Sequence, residues 1–241
     1  MIYNFKDTQI FYYFKSRKSD VTNIFLHGWG CDHESFLFCQ DYLKKDNALF
    51  VDFPPFGKSG RPIDWTIFTY ANMLIALCEH LGLEKFNLIG HSFGGRVSIL
   101  VSVLCKTQIQ KLVLVDSAGL KPRRSLSYWW KVWSYKLRKK FGKDVSKFGS
   151  CDYLVLDKDM RKVFNNIVCT HLDDFLPHIK AETLIMFGKN DNVTPVYMAE
   201  RLNKKIKGSK LVLFDEAGHF CFVDKRIEFV TNLKEFVEGE G

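Results

Sequence analysis

The run Leu88-Ile89-Gly90-His91-Ser92-Phe93-Gly94-Gly95 places a serine between glycines, where an apolar strand breaks into a helix opening on small residues. A serine in such a bend projects its hydroxyl outward, and the glycines let neighbouring backbone pass close on either side. A hydroxyl is a poor nucleophile at neutral pH, so it needs a base within hydrogen-bond reach, itself oriented by a third group. Two later loops supply both. Asp191 lies in the turn-rich stretch Phe187–Pro195, and His219 in Asp215–Phe220. The chemistry this set can do is acyl transfer, with His219 taking the Ser92 proton and Asp191 fixing the useful tautomer. The order Ser, Asp, His is the one expected when the serine sits on a strand–turn–helix bend. Asp116, at the end of another strand, is the competing acid, and an Asx-turn is the alternative role for Asp191. The oxyanion needs donors too: the backbone N–H of Phe93, and that of Trp29 in His27-Gly28-Trp29-Gly30. His27 reads as ordering that loop, and His91 as able to line the pocket.

The elements that must position these groups follow from periodicity. Alternation predicts a β-hairpin within 1–19. Apolar runs predict strands at Val21–His27, Ala48–Phe53, Phe86–Gly90, Lys111–Val115, Thr183–Phe187 and Leu211–Phe214. Helical spacing marks Phe36–Lys45, Thr66–Leu81 with Gly82 as its stop, Val97–Cys105 and Ile227–Val237. Strands alternating with helices mean an α/β fold, a mostly parallel central sheet covered on both faces. In such sheets ligands bind beyond the carboxyl ends of the strands. Ser92, Asp191 and His219 all follow strands, so one rim gathers them despite separations of 99 and 28 residues. Residues 1–120 and 181–241 then form the core domain. The helical, basic and aromatic stretch 121–180 is an insertion leaving from a strand's carboxyl end, placed to act as a cap.

Composition narrows the classes. The chain has 241 residues, 46% hydrophobic and 26% charged, an ordinary globule at the upper end of single-domain size. No eighteen-residue apolar run suggests a membrane span, and Met1–Asp7 is too polar for a signal peptide. Seven scattered cysteines without Cys-x-x-Cys fit reduced thiols in a cytoplasmic protein. His33, His80, His171 and His178 have no metal-ligand spacing, and no metal or cofactor is expected. The net charge of +8 is local: Lys121–Ser150 holds ten Lys or Arg and one acid, Asp144. That concentration argues against a nucleic-acid partner, which calls for a continuous basic face. Oligomeric state has no signature here.

Trp129, Trp130 and Trp133 interleave with Lys131, Lys136, Arg138, Lys139 and Lys140. One reading is an amphipathic cap helix with its aromatics against the core and its lysines in water. The other has the aromatics lining an acyl pocket while the rim steers an anionic substrate. Attachment to anionic lipid is a third use of the same composition.

The chain resembles the α/β-hydrolase fold superfamily, in particular its small capped serine esterases and carbon–carbon bond hydrolases. Four landmarks carry the likeness in order: His27 to Gly30, Asp52 to Ser59, Gly90 to Gly95, and the Asp191 and His219 loops. The likeness covers about 21–119 and 181–238; the cap matches loosely, through Asp152-Tyr153 and Met160–Leu176. Pro55 departs from the glycine usual in relatives, so that turn is expected to be rearranged. A serine at 92, where dehalogenases and epoxide hydrolases carry aspartate, implies esterase-type chemistry. The expected substrate is a small or medium carboxylic ester. An acyl-carrier or coenzyme-A ester or thioester, or a carbon–carbon bond, stays open, and the loop at 27–30 is similar to that of pimeloyl-carrier methyl ester esterases. The rival from another class is a non-enzymatic binding protein on the same fold.

Overall fold

The computed structural model describes residues 1–123, 133 and 151–239. Eight strands form one sheet in the order β1-β2-β4-β3-β5-β6-β7-β8. They are β1 (Ile2–Phe5), β2 (Thr8–Lys15), β3 (Val21–Leu26), β4 (Asn47–Val51), β5 (Lys85–His91), β6 (Ile109–Val115), β7 (Glu182–Gly188) and β8 (Lys210–Phe214). β1 and β2 form the antiparallel hairpin, and β2 meets β4 antiparallel. Every other pairing is parallel.

Described helices are α1 (Glu34–Leu37), α2 (Ile67–His80), α3 (Phe93–Leu104), α4 (Cys151–Leu154), α5 (Lys158–Cys169), α6 (Val196–Lys205), α7 (Cys221–Asp224) and α8 (Arg226–Glu238). The central strands are apolar throughout because both faces are covered. Side chains alternate between faces, so Leu112 and Leu114 join one core with α2, α3 and α6. Val113 and Val115 join the other with α1 and α8. Burying each such branched side chain is worth about 1.5–3 kcal/mol.

The helix expected over Phe36–Lys45 is shorter. After α1 the chain tightens into a 3₁₀ turn, Phe38–Asp41. The Arg17 guanidinium takes the Gln40 carbonyl at 2.8 Å and the Asp46 carbonyl at 2.9 Å, diverting an acceptor that a longer helix would use. Phe36, Cys39 and Leu43 still bury the expected face. At the unusual proline, the Pro54-Pro55 peptide is cis and Phe56 N–H donates to the Phe53 carbonyl at 2.8 Å.

The insertion between β6 and β7 is helical in its described part, consistent with a cap. Met160, Val163 and Ile167 of α5 are buried in the first core. Trp133 is helical and 56% exposed; Trp129, Trp130, Lys131, Lys136, Arg138, Lys139 and Lys140 lie outside the described residues. Exposed pairs join α5 to the core, Arg61 with Asp157 at 2.6 Å and Lys162 with Asp64 at 2.8 Å. At such exposure solvent screens the pairs, and they add little to stability. The buried contact is Arg96 of α3, which donates to the Ile167 carbonyl and, at 2.6 Å, to that of Thr170 at the end of α5. A cation there also complements the helix dipole.

Candidate active site

The bend after β5 is as tight as the glycines suggest. Ser92 has φ 48° and ψ −107°, a conformation L residues avoid, and its hydroxyl makes no capping bond to α3. Gly94 is what lets α3 approach: a Cβ there would run into the Leu26 carbonyl, while its N–H donates to the His27 carbonyl at 3.1 Å. The freed hydroxyl points to His219. Ser92 Oγ lies 3.0 Å from His219 Nε2, and His219 Nδ1 lies 2.8 Å from Asp191 Oδ2.

Asp191 is satisfied on both oxygens. Val193 and Thr194 N–H donate to Oδ1 at 2.7 and 2.9 Å, and the Thr194 hydroxyl sits 2.6 Å from Oδ2. Burial works against its charge, but bonds from His219 and Thr194 outweigh it and hold the carboxyl below the ordinary carboxylate range. Asp191 thus closes an Asx-type turn and faces the histidine. Asp116, the competing acid, bonds elsewhere: Oδ1 accepts from Gly188 N–H at 2.8 Å and Oδ2 from Cys221 N–H at 3.1 Å.

The loop after β3 is a turn closed by Cys31 N–H on the Gly28 carbonyl at 3.2 Å, with Gly30 at φ 81°. A positive φ at the third position marks a type II turn, which leaves the second residue's amide, that of Trp29, outside the turn's own bond. Phe93 opens α3, where an N–H has no acceptor within the helix. The Trp29 ring is held by Phe56, Phe93 and Phe164, at centroid distances of 4.8, 5.6 and 5.1 Å. Phe164 belongs to α5, so the insertion packs directly on this loop.

His27 orders the loop from beneath. Its Nδ1–H donates to the Gly28 carbonyl at 2.7 Å and its Nε2 accepts Phe53 N–H at 2.8 Å. His91, expected as a pocket residue, lies under the site instead and is 1% exposed. It follows Ile89 by two residues on β5 and shares its face, toward the second core. There its Nε2–H donates to the His219 carbonyl at 2.8 Å, and its ring rests 4.9 Å from that of His219.

Burial keeps both histidines neutral, pushing His27 down to about 4 and His91 to about 3. The unfolded chain binds these protons more readily, so their contribution to stability is whole above about pH 6.5 and is lost as pH falls through the folded values. A melting temperature that drops between pH 6.5 and 4 is the expected result. His91→Gln is expected to flatten that slope in thermal melts across the same range.

Thr194, Phe164 and Arg96 were not singled out by sequence. Thr194 alone left a signal, as a turn residue three positions after Asp191.

Comparison with known proteins agrees with this architecture. The family described as alpha/beta hydrolase fold matches residues 24–162 and 127–226. A proline iminopeptidase of Lactobacillus crispatus is 27% identical, over 97% of this chain and 96% of its own. A pimeloyl-[acyl-carrier protein] methyl ester esterase of Legionella pneumophila is 26% identical, over 89% and 94%. Among solved structures, an esterase from Exiguobacterium antarcticum superposes with a TM-score of 0.76 at 25% identity, covering 96% of each chain. With a family match across most of its length and the sheet, bend and insertion in place, the chain belongs to the alpha/beta hydrolase fold family.

Proposed function

We propose that this protein is a serine hydrolase that cleaves a small or medium carboxylic ester through an acyl-Ser92 intermediate. The observation that carries the reading is the unbroken relay from Ser92 Oγ through His219 to Asp191, at 3.0 and 2.8 Å. His219 Nε2 takes the hydroxyl proton as Ser92 attacks the ester carbonyl. Asp191 keeps the other proton on Nδ1 and stabilises the imidazolium that forms. The negative oxygen is received by the amides of Trp29 and Phe93; each such donor is worth about 3–4 kcal/mol where one has been removed. The tetrahedral intermediate collapses as His219 returns the proton to the leaving alcohol. His219 then draws a proton from water, and hydrolysis of the acyl-serine restores the enzyme.

A second reading places the ester or thioester on an acidic carrier. Ten Lys or Arg against one acid between Lys121 and Ser150 favour it, as does the likeness to a carrier methyl ester esterase. That charge balance would disfavour a substrate presenting a cationic amine next to the scissile bond.

A chain-length series of p-nitrophenyl esters and acyl thioesters, run on the wild type and Ser92→Ala, tests both readings. Short and medium esters are expected to turn over with Ser92 and not without it. Neutralising Lys136, Arg138, Lys139 and Lys140 is expected to raise KM for anionic substrates several-fold and leave neutral ones alone. Equal effects on the two classes would overturn the carrier reading. Folded wild type with no turnover of any member would overturn the esterase reading in favour of a binding protein.

A further inference from the structure

Asp116, at the carboxyl end of β6, is a fully buried acid outside the relay, 0% exposed. Its contacts reach both loops that carry the relay. Gly188, whose N–H binds Oδ1, begins the turn leading to Asp191. Cys221, whose N–H binds Oδ2, follows His219 by two residues. The Cys221 thiol also bonds this carboxylate. The Asp116 main chain joins β7 and the Asp191 loop, since its N–H donates to the Met186 carbonyl at 2.9 Å and Thr194 Oγ1 lies 3.0 Å from its carbonyl. Its φ of 42° is an uncommon conformation for a non-glycine residue.

Resting on the serine-hydrolase reading, we propose that ionised Asp116 is a positioning residue, a brace that holds the Asp191 loop and the His219 loop in register so that the relay stays aligned. Two N–H groups on different loops need two acceptor oxygens on one rigid side chain, and a carboxylate supplies them. Asparagine supplies one and turns an N–H₂ toward the other donor. A protonated carboxyl fails in the same way, setting O–H against N–H.

This charge is held against the needs of folding. Burial first, and then the nearby Asp191 charge, push the Asp116 carboxyl up to about 7 despite bonds from the Cys221 thiol, Gly188 N–H and Cys221 N–H. The groups around it are Asp191 and, through it, His219 on the loops above, and the Cys221 thiol on α7, which also feels Asp224. With the folded value raised above the ordinary one, Asp116's contribution to stability is whole below about pH 4 and is lost as pH rises through about 7.

Asp116→Asn separates the two roles. The expected result is a loss of at least tenfold in kcat with KM within threefold. The variant's melting temperature relative to wild type should move upward between pH 5 and pH 8. The rate of Ser92 labelling by a fluorophosphonate should lose one ionisation from its acid limb. Cys221→Ala, which removes the thiol bond but keeps the N–H, is a second variant, and its acid limb is expected to shift to higher pH. Wild-type labelling with an unchanged rate and pH profile in Asp116→Asn would overturn the brace while leaving the hydrolase reading intact. Parallel losses of kcat and melting temperature at pH 8 would also overturn it, by making Asp116 a folding residue. Folded wild type that takes no label at all would overturn the hydrolase reading, and the brace with it.

Discussion

Ser92→Ala is expected to lower ester turnover by about a thousandfold or more, because the relay acts as a unit and loses its nucleophile. The substitution keeps the Cβ and removes only Oγ, whose hydrogen bond goes to His219 Nε2 at 3.0 Å. Ser92 N–H still donates to the Val115 carbonyl at 3.0 Å, and Arg96 and Ala118 N–H still donate to the Ser92 carbonyl at 3.1 Å. The bend therefore stands without the hydroxyl. A melting temperature within a few degrees of wild type, measured with the rate, separates loss of chemistry from loss of fold. Turnover within tenfold of wild type would mean that another group attacks the substrate.

The second large effect is at Asp191. Asp191→Asn is expected to cost about 10³ to 10⁴ in kcat/KM, in line with the loss when such an acid is made neutral. An asparagine keeps one oxygen for the Val193 and Thr194 N–H groups, which bind Oδ1 at 2.7 and 2.9 Å, so the turn survives. What it loses is the acceptor for His219 Nδ1–H at 2.8 Å. With an N–H₂ there, the imidazole is stable in the tautomer that carries its proton on Nε2, and it can no longer accept from Ser92. Asp116→Asn is expected to lose less, because Asp116 touches no atom of the histidine ring. A larger loss at Asp116 than at Asp191 would reverse the assignment of the acid.

How far the sequence shows this arrangement depends on the range of the interaction involved. The serine bend is local as a pattern, since Gly90, Ser92 and Gly94 fall within five residues, although Gly94's close approach is to Leu26 on the neighbouring strand β3. The sheet is nearly as legible, since runs such as Leu112–Val115 are apolar on both faces only when both are covered. Parallel strands then bring residues 92, 191 and 219 to one rim without any signal linking them. Where local pattern meets a distant partner, it fails. Arg17, in the loop between β2 and β3, takes the Gln40 carbonyl where the spacing predicts a longer helix after α1. His91 is adjacent to Ser92 in sequence, but the alternation of β5 turns it to the opposite side. Phe164 and Arg96 owe their contacts to how α5 lies on the core, and the Asp116 brace joins the ends of β6 and β7 to the start of α7, which only the folded sheet brings together.

The central claim is that Ser92 is a nucleophile activated by His219, and covalent labelling tests it most directly. Intact-mass measurement after treating the folded protein with a fluorophosphonate is expected to show one adduct, mapped to Ser92, absent in Ser92→Ala and strongly slowed in His219→Ala. No adduct on folded wild type, or an adduct that survives in Ser92→Ala, would contradict it.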